Sequence, residues 1–75
     1  MESKKLKFIL KRAGLRYWEF AELIGKSTPT VQRWISENQN IGEIYVLDLE
    51  KKLTSKIFAK LEVEWEEYKK ERRWR

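Results

Sequence analysis

The sequence predicts a small all-α protein, and two observations indicate this fold class. Apolar residues recur at helical spacing through most of the 75-residue chain, as at Leu6, Ile9, Leu10 and Ala13 near the amino terminus. The three glycines are isolated, and they stand next to such helical segments, where a left-handed residue commonly ends a helix. We therefore expect a bundle of about five helices.

The first predicted helix runs from about Lys4 to Ala13 and is amphipathic. Gly14 follows it as a left-handed residue, and Leu15 can make the apolar contact to the last turn that accompanies such an ending. A basic amphipathic helix can also lie on a membrane surface. We disfavour that alternative because the apolar stripe is narrow and is needed to cover the next two helices.

The second predicted helix begins near Arg16 or Tyr17 and ends at Gly25. Phe20 and Leu23 are expected to be core residues. The amino end of this helix should carry free amide groups and the positive end of the helix dipole. A tight turn after Gly25 leads directly into another helix.

The third predicted helix runs from about Thr28 to Ser36 or Glu37. Ser27 is a suitable N-cap, because its hydroxyl oxygen can accept hydrogen bonds from the first free amides. Pro29 falls in the first turn, where a missing amide proton has no cost. Three apolar residues are expected to face the core: Val31, Trp34 and Ile35.

Two short helices joined so closely cross steeply, which is the geometry of a helix-turn-helix, and the small Ala21 lets them approach. Four residues of the third helix then face away from the core: Thr28, Pro29, Gln32 and Arg33. Their chemistry suits base reading in the DNA major groove. Arginine can bridge the two acceptors of guanine, glutamine can pair with adenine, and a threonine methyl or proline ring can contact a thymine methyl. The alternative is an ordinary solvated polar face.

The same stretch resembles the DNA-binding domains of the phage lambda repressor and Cro type, the XRE-like family. In that family's motif a small residue is followed by glycine four residues later, and apolar residues recur six and nine positions after the glycine. This chain has the corresponding residues at those positions: Ala21, Gly25, Val31 and Trp34. The segment from Ala13 to Leu15 is similar to the end of the family's first helix. The resemblance covers roughly residues 6 to 53 and implies a lambda repressor-like bundle that binds double-stranded DNA.

The resemblance also implies where the DNA backbone would lie. It would follow the amino end of the second helix, the turn and the loop after the third helix. The candidate phosphate-contacting residues are Tyr17, Lys26, Ser27, Asn38, Asn40 and Arg16. This chain departs from many relatives in the loop from Glu37 to Asn40, where they carry glycine and basic residues. For Tyr17, the alternative is a ring that only covers the domain surface.

Positive charge is concentrated in the amino-terminal half. Residues 1–34 carry eight basic and three acidic side chains, a net charge of +5, whereas the charges of residues 35–75 balance. The whole excess therefore lies in the half with the proposed reading helix, where it can neutralise phosphates and release counterions. The alternative is that the lysines only keep a small protein soluble.

A fourth helix is predicted from about Gly42 or Glu43 to Leu53, apolar over a wide arc and so packed on two sides. Thr54 or Ser55 can then cap a last helix that runs towards the carboxyl end. Its apolar residues have the 3, 4, 3 spacing of a heptad seam: Phe58, Leu61, Trp65 and Tyr68.

This last helix should serve two purposes. Its seam spans fewer than two heptads, so we expect it to pack both on its own domain and on a second subunit in a homodimer. A Glu66 to Lys70 ion pair would stabilise it, and the basic end ERRWR could touch DNA. Residues 1–53 thus form the predicted DNA-binding domain, and residues 54–75 form a helix for packing and self-association in the same compact unit.

The expected function is sequence-specific binding of double-stranded DNA by a phage or bacterial transcriptional regulator, for example a repressor. We expect no enzymatic activity, metal or cofactor, because the chain lacks histidine, cysteine and a glycine-rich phosphate loop. No apolar run is long enough for a signal peptide or membrane span, so a cytoplasmic location is expected. Two alternatives remain: a small terminase-like or excisionase-like packaging or recombination accessory, and a protein-binding helical adaptor.

Overall fold

In the computed structural model, the described part of the chain forms five α-helices, which confirms the predicted all-α class. The helices are α1 (Ser3–Ala13), α2 (Tyr17–Ile24), α3 (Thr28–Ser36), α4 (Glu43–Leu53) and α5 (Ser55–Arg73). The structure describes the backbone of residues 1–73 and the side chains of residues 1–71. The DNA contact predicted for the carboxyl end concerns side chains beyond residue 71 and lies outside this part. None of the five described helices is both long and apolar enough to cross a bilayer.

The first two helices end in the same way, as the glycine positions predict. Gly14 and Gly25 adopt left-handed conformations with φ of 74° and 73°. In each case the next residue closes the end: the Leu15 amide donates to the Leu10 carbonyl, and the Lys26 amide to the Ala21 carbonyl, both at 2.9 Å. These bonds satisfy carbonyls that a helix end otherwise leaves free, so both helices stop sharply.

The third helix ends through an asparagine rather than a glycine, which the sequence did not indicate. Asn38 has φ of 54°, and the following Gln39 amide donates to the Trp34 carbonyl at 2.9 Å. Asparagine tolerates this left-handed region better than most residues because its short polar side chain can bond locally. The chain therefore turns away directly after α3.

The core lies where the helices meet. α2 packs on α3 and α4, and α1 packs on α3 and α5, which also contacts α4. The largest fully buried side chains are Phe20, Leu6, Ile9, Leu10, Leu49 and Val31. Phe20 thus has its predicted place, whereas Leu23 is 37% exposed and its predicted core position is wrong. Leu23 is one 100° helical step from Ile24, and that step carries it past the edge of the buried face.

The amino-terminal residue is tied to the segment that precedes α4. The Ile41 amide donates to the Met1 carbonyl at 2.7 Å, and the Met1 amino group donates to the Ile41 carbonyl at 3.0 Å. Ile41 itself is 3% exposed and belongs to the core. The two bonds link segments 40 residues apart, so the start of α1 and the loop after α3 hold each other in place.

The junction between α4 and α5 is a single strained residue. Thr54 has φ of 72° and ψ of 150°, a region that β-branched residues avoid. Its hydroxyl accepts a long 3.4 Å bond from the Ile57 amide, and its carbonyl accepts the Phe58 amide at 3.0 Å. Thr54 therefore ends α4 and caps α5, as one of the two predicted capping residues.

Ion pairs join α5 to α1 across the bundle. Lys5 pairs with Glu62 at 2.8 Å, and Arg12 approaches Glu64 at 3.6 Å. Within α5, Glu66 pairs with Lys69 at 3.1 Å instead of the predicted Lys70. Lys69 and Lys70 lie three and four residues after Glu66, and both spacings place the two charges on neighbouring helix turns. The observed and the predicted partners are therefore adjacent lysines.

Candidate nucleic-acid interface

The turn between α2 and α3 consists of residues 25–27 and is fixed from both sides. Gly25 ends α2, and the Ser27 hydroxyl accepts the Thr30 amide at 3.3 Å, which confirms the predicted cap. The Ser27 and Thr30 hydroxyls also share a hydrogen bond of 2.8 Å. Ser27, a predicted phosphate contact, is exposed but already bonded within its own helix turn.

The solvent face of α3 carries the predicted base-reading residues. Pro29, Gln32 and Arg33 are exposed, and Thr28 is half-buried. Val31 points the other way and is fully buried, so it fixes which face of the short helix is presented. Gln32 and Arg33 are adjacent in sequence, and both reach solvent without an ion pair in the described part of the chain. Their hydrogen-bonding groups are therefore open to a ligand.

An aromatic pair supports the opposite side of α3. The ring of Trp34 lies 5.4 Å from that of Tyr45, at 32° between planes. Trp34 is half-buried rather than fully in the core as predicted, because Tyr45 covers it at the surface in place of interior residues. The Lys26 ammonium lies over the ring of Tyr45, 5.8 Å from its centroid. Lys26 is thus exposed but held beside the turn by a cation–π contact.

The amino end of α2 is less open to phosphate than the family resemblance implies. The Glu19 carboxylate accepts the Arg16 amide at 2.9 Å and so places a negative charge at the positive end of the helix. This is half of a capping box. Arg16 keeps an exposed guanidinium there, and Tyr17 is half-buried with its ring packed against the core. At this end of α2 the Arg16 side chain is therefore the accessible positively charged group.

The loop after α3 is partly committed to its own bonds. The Gln39 amide group donates to the Glu37 carboxylate at 2.7 Å. Asn38 and Asn40, the predicted phosphate contacts, are both exposed, but Asn38 also forms the left-handed end of α3. The Glu37 carboxylate next to them repels phosphate, which leaves Asn40 as the more available amide.

The fold divides the positive charge that the sequence concentrates in its first half. Five of the eight basic residues lie on α1: Lys4, Lys5, Lys7, Lys11 and Arg12. Only three accompany the α2–α3 unit: Arg16, Lys26 and Arg33. The excess positive charge therefore lies mostly on α1 and only partly beside the predicted reading helix, where all of it had been expected.

The predicted self-association seam lies inside the single chain. Phe58, Leu61 and Trp65 are 5%, 6% and 5% exposed. Tyr68 is half-buried, with its ring 5.0 Å from that of Phe8 on α1. Packing of α5 on α1 and α4 covers this seam and leaves a second subunit little of it to contact.

Two residues that the sequence reasoning did not select join the interface. Ser36 is exposed and lies one turn beyond Gln32 and Arg33 on the same face. The four-residue spacing from Gln32 is a signal that could have found it. Tyr45 backs Trp34 and holds Lys26, a contact between α4 and the turn that sequence spacing does not reveal.

Comparison of the chain with protein-family models, with curated proteins and with solved structures finds no match. A function for this chain is therefore inferred from its residues and their geometry.

Proposed function

We propose that this protein binds double-stranded DNA sequence-specifically and acts as a cytoplasmic transcriptional regulator of phage or bacterial type. The observation that carries the proposal is the α2–α3 unit. A three-residue turn fixes the two helices, Val31 is fully buried, and Pro29, Gln32 and Arg33 are exposed together on the opposite face. A short helix that buries one face and exposes an arginine and a glutamine on its opposite face suits the major groove.

In this proposal the residues have two kinds of role. Arg33 and Gln32 read base edges, with Thr28 and Pro29 in contact with thymine methyl groups. Arg16 and Lys26 lie at the ends of α2 and bind phosphates on either side of the groove, where their charge sets the register without reading sequence. Asn40 adds a neutral hydrogen-bond donor beyond the far end of α3.

The proposal includes a homodimer, because one helix of this length reads only a few base pairs. With the α5 seam covered, the contact between subunits uses apolar side chains that the fold leaves exposed. Ile44 and Leu47 are 68% and 47% exposed and lie one turn apart on the outer side of α4. An apolar pair in this position is suited to a two-fold contact in which each subunit presents the same residues.

Selection of bound duplexes from a random library tests the proposal. The wild-type protein should enrich one sequence motif, arranged as two inverted half-sites about one helical turn apart. The double variant Gln32→Ala, Arg33→Ala should enrich none, whereas Lys56→Ala, a change at an exposed position on α5, should behave as wild type. Circular dichroism should show equal helicity for all three proteins. Wild-type protein that enriches no motif would overturn the proposal.

A further inference from the structure

A concavity with a volume of about 990 Å³ lies between α1 and α5, away from α3. We call it the α1–α5 groove, because its lining consists of residues at the start of the chain, on α1 and on the second half of α5. No described residue of α2, α3 or α4 lines it. The roles proposed for α3 therefore do not account for it.

The groove is strongly basic. Lys4, Lys7, Lys11, Arg12 and Lys69 line it, with Glu2 as the one acidic lining residue. Arg12 and Lys69 have carboxylate partners on α5, at 3.6 and 3.1 Å. Lys4, Lys7 and Lys11 have no ion pair among the described residues and are exposed. Unpaired like charges held so close repel one another, so a bound polyanion would relieve an existing repulsion.

The unpaired lysines form a regular row. Lys4, Lys7 and Lys11 lie three and four residues apart on one face of α1, so they are separated by about 4.5 and 6 Å along the helix axis. A row of cations at this spacing is complementary to a chain that carries one negative charge per unit. Scattered surface lysines that only maintain solubility need no such alignment.

The floor of the groove is aromatic. The ring of Phe8 lies 5.4 Å from that of Trp65 and 5.0 Å from that of Tyr68. Trp65 is 5% exposed and anchors the cluster, whereas Phe8 is half-buried and reaches the groove surface. The Arg12 guanidinium lies over the Phe8 ring, 5.1 Å from its centroid. The groove thus offers a guanidinium, supported by an aromatic ring, on which a flat group can stack.

We infer that the α1–α5 groove binds single-stranded nucleic acid. The lysine row would follow the phosphates, and an unpaired base would stack on the outer face of the Arg12 guanidinium, which the Phe8 ring supports; charge combined with stacking is what single-strand-binding proteins use. A duplex hides the faces of its bases and would leave the aromatic floor unused. An acidic peptide supplies negative charge but not the succession of flat rings.

Fluorescence anisotropy with a labelled oligothymidylate of about 12 nucleotides tests the inference, since such a strand forms no duplex and spans a typical site. The triple variant Lys4→Ala, Lys7→Ala, Lys11→Ala should lose about tenfold or more in affinity at low salt. It should also reduce the steepness of the salt dependence by about two, at 0.7 per single-strand phosphate lost. Its matched control, Lys51→Ala, Lys56→Ala, Lys60→Ala, removes the same charge from exposed positions outside the groove and should lose much less.

A second variant tests stacking separately from charge. Arg12→Lys keeps the positive charge and its proximity to Glu64 but removes the planar guanidinium. It should weaken oligothymidylate binding about fivefold while the salt dependence stays the same. Gln32→Ala, Arg33→Ala should leave the oligothymidylate affinity unchanged, which separates this site from the duplex site.

Three outcomes would overturn the inference. One is equal loss of affinity in the groove triple variant and its matched control, which would indicate that binding depends on the total charge of the protein and not on this groove. Another is groove-dependent binding of a labelled oligoglutamate with no binding of oligothymidylate, which would assign the groove to an acidic protein partner. The last is groove-dependent binding of random duplex in preference to the single strand. Each can occur whether or not α3 reads DNA.

Discussion

The salt dependence of duplex binding follows from how the fold divides the basic residues. The α2–α3 unit has three cationic side chains, Arg16, Lys26 and Arg33, and one of them is assigned to bases. The two cations left for phosphates in each subunit give a slope of log affinity against log salt of about −2 per subunit, at 0.9 per phosphate. Counting the whole net charge of residues 1–34 would instead give about −4 to −5.

The assay is a titration of the selected duplex at several salt concentrations between about 50 and 200 mM, where such slopes are measurable. Lys26→Ala should make the slope shallower by about 0.9 per subunit, because one phosphate contact is lost in each. Lys7→Ala, an equal loss of charge on α1, should leave it unchanged. A wild-type slope near −5 per subunit that becomes shallower with Lys7→Ala would place the duplex on α1 and refute the assignment to α3.

Three further predictions concern stability and assembly. Trp34→Ala should lower the free energy of unfolding by about 2 kcal/mol, less than for a fully buried tryptophan. Trp18→Ala, at a position that is 54% exposed, should lower it by under about 1 kcal/mol. Equal losses for the two variants in urea titrations would contradict the packing of α3. Thr54→Gly should raise the free energy of unfolding by about 1 kcal/mol and Tm by about 4–8 °C, because glycine relieves the strain of the positive φ. The control Ser55→Gly should lower Tm. A lower Tm for Thr54→Gly would show that no strain is stored at this residue. If the proposed dimer forms through α4, Leu47→Glu should give a monomer in sedimentation experiments without loss of helicity; an unchanged dimer mass would place the contact between subunits elsewhere.

Local sequence chemistry predicted the helix ends well where one residue decides them. Gly14 and Gly25 are left-handed because glycine has no Cβ to clash, and Ser27 caps α3 because its side chain is short enough to reach the next amides. Asn38 was missed because asparagine takes the left-handed conformation only in some contexts. Such a residue in a polar loop has no distinct signal.

The features that sequence did not predict depend on tertiary packing. Leu23 is apolar and helical, yet α2 has room for only part of its apolar surface against α3 and α4. The basic face of α1 turns towards α5, so its lysines line a groove rather than the reading helix. Likewise Phe58, Leu61 and Trp65 have the spacing of an assembly seam, but spacing does not tell whether a helix of the same chain covers it.

The base preference of Arg33→Ala is the sharpest test of the proposed reading of bases by α3. Binding should be measured on the selected duplex and on a set in which each base pair is changed singly, with Lys26→Ala as the control. Arg33→Ala should lose about 1 to 3 kcal/mol on the selected site and lose its preference at one base pair, whereas Lys26→Ala should weaken every duplex alike. If Arg33→Ala also weakens all duplexes equally, Arg33 binds phosphate and the claim that it reads bases is contradicted.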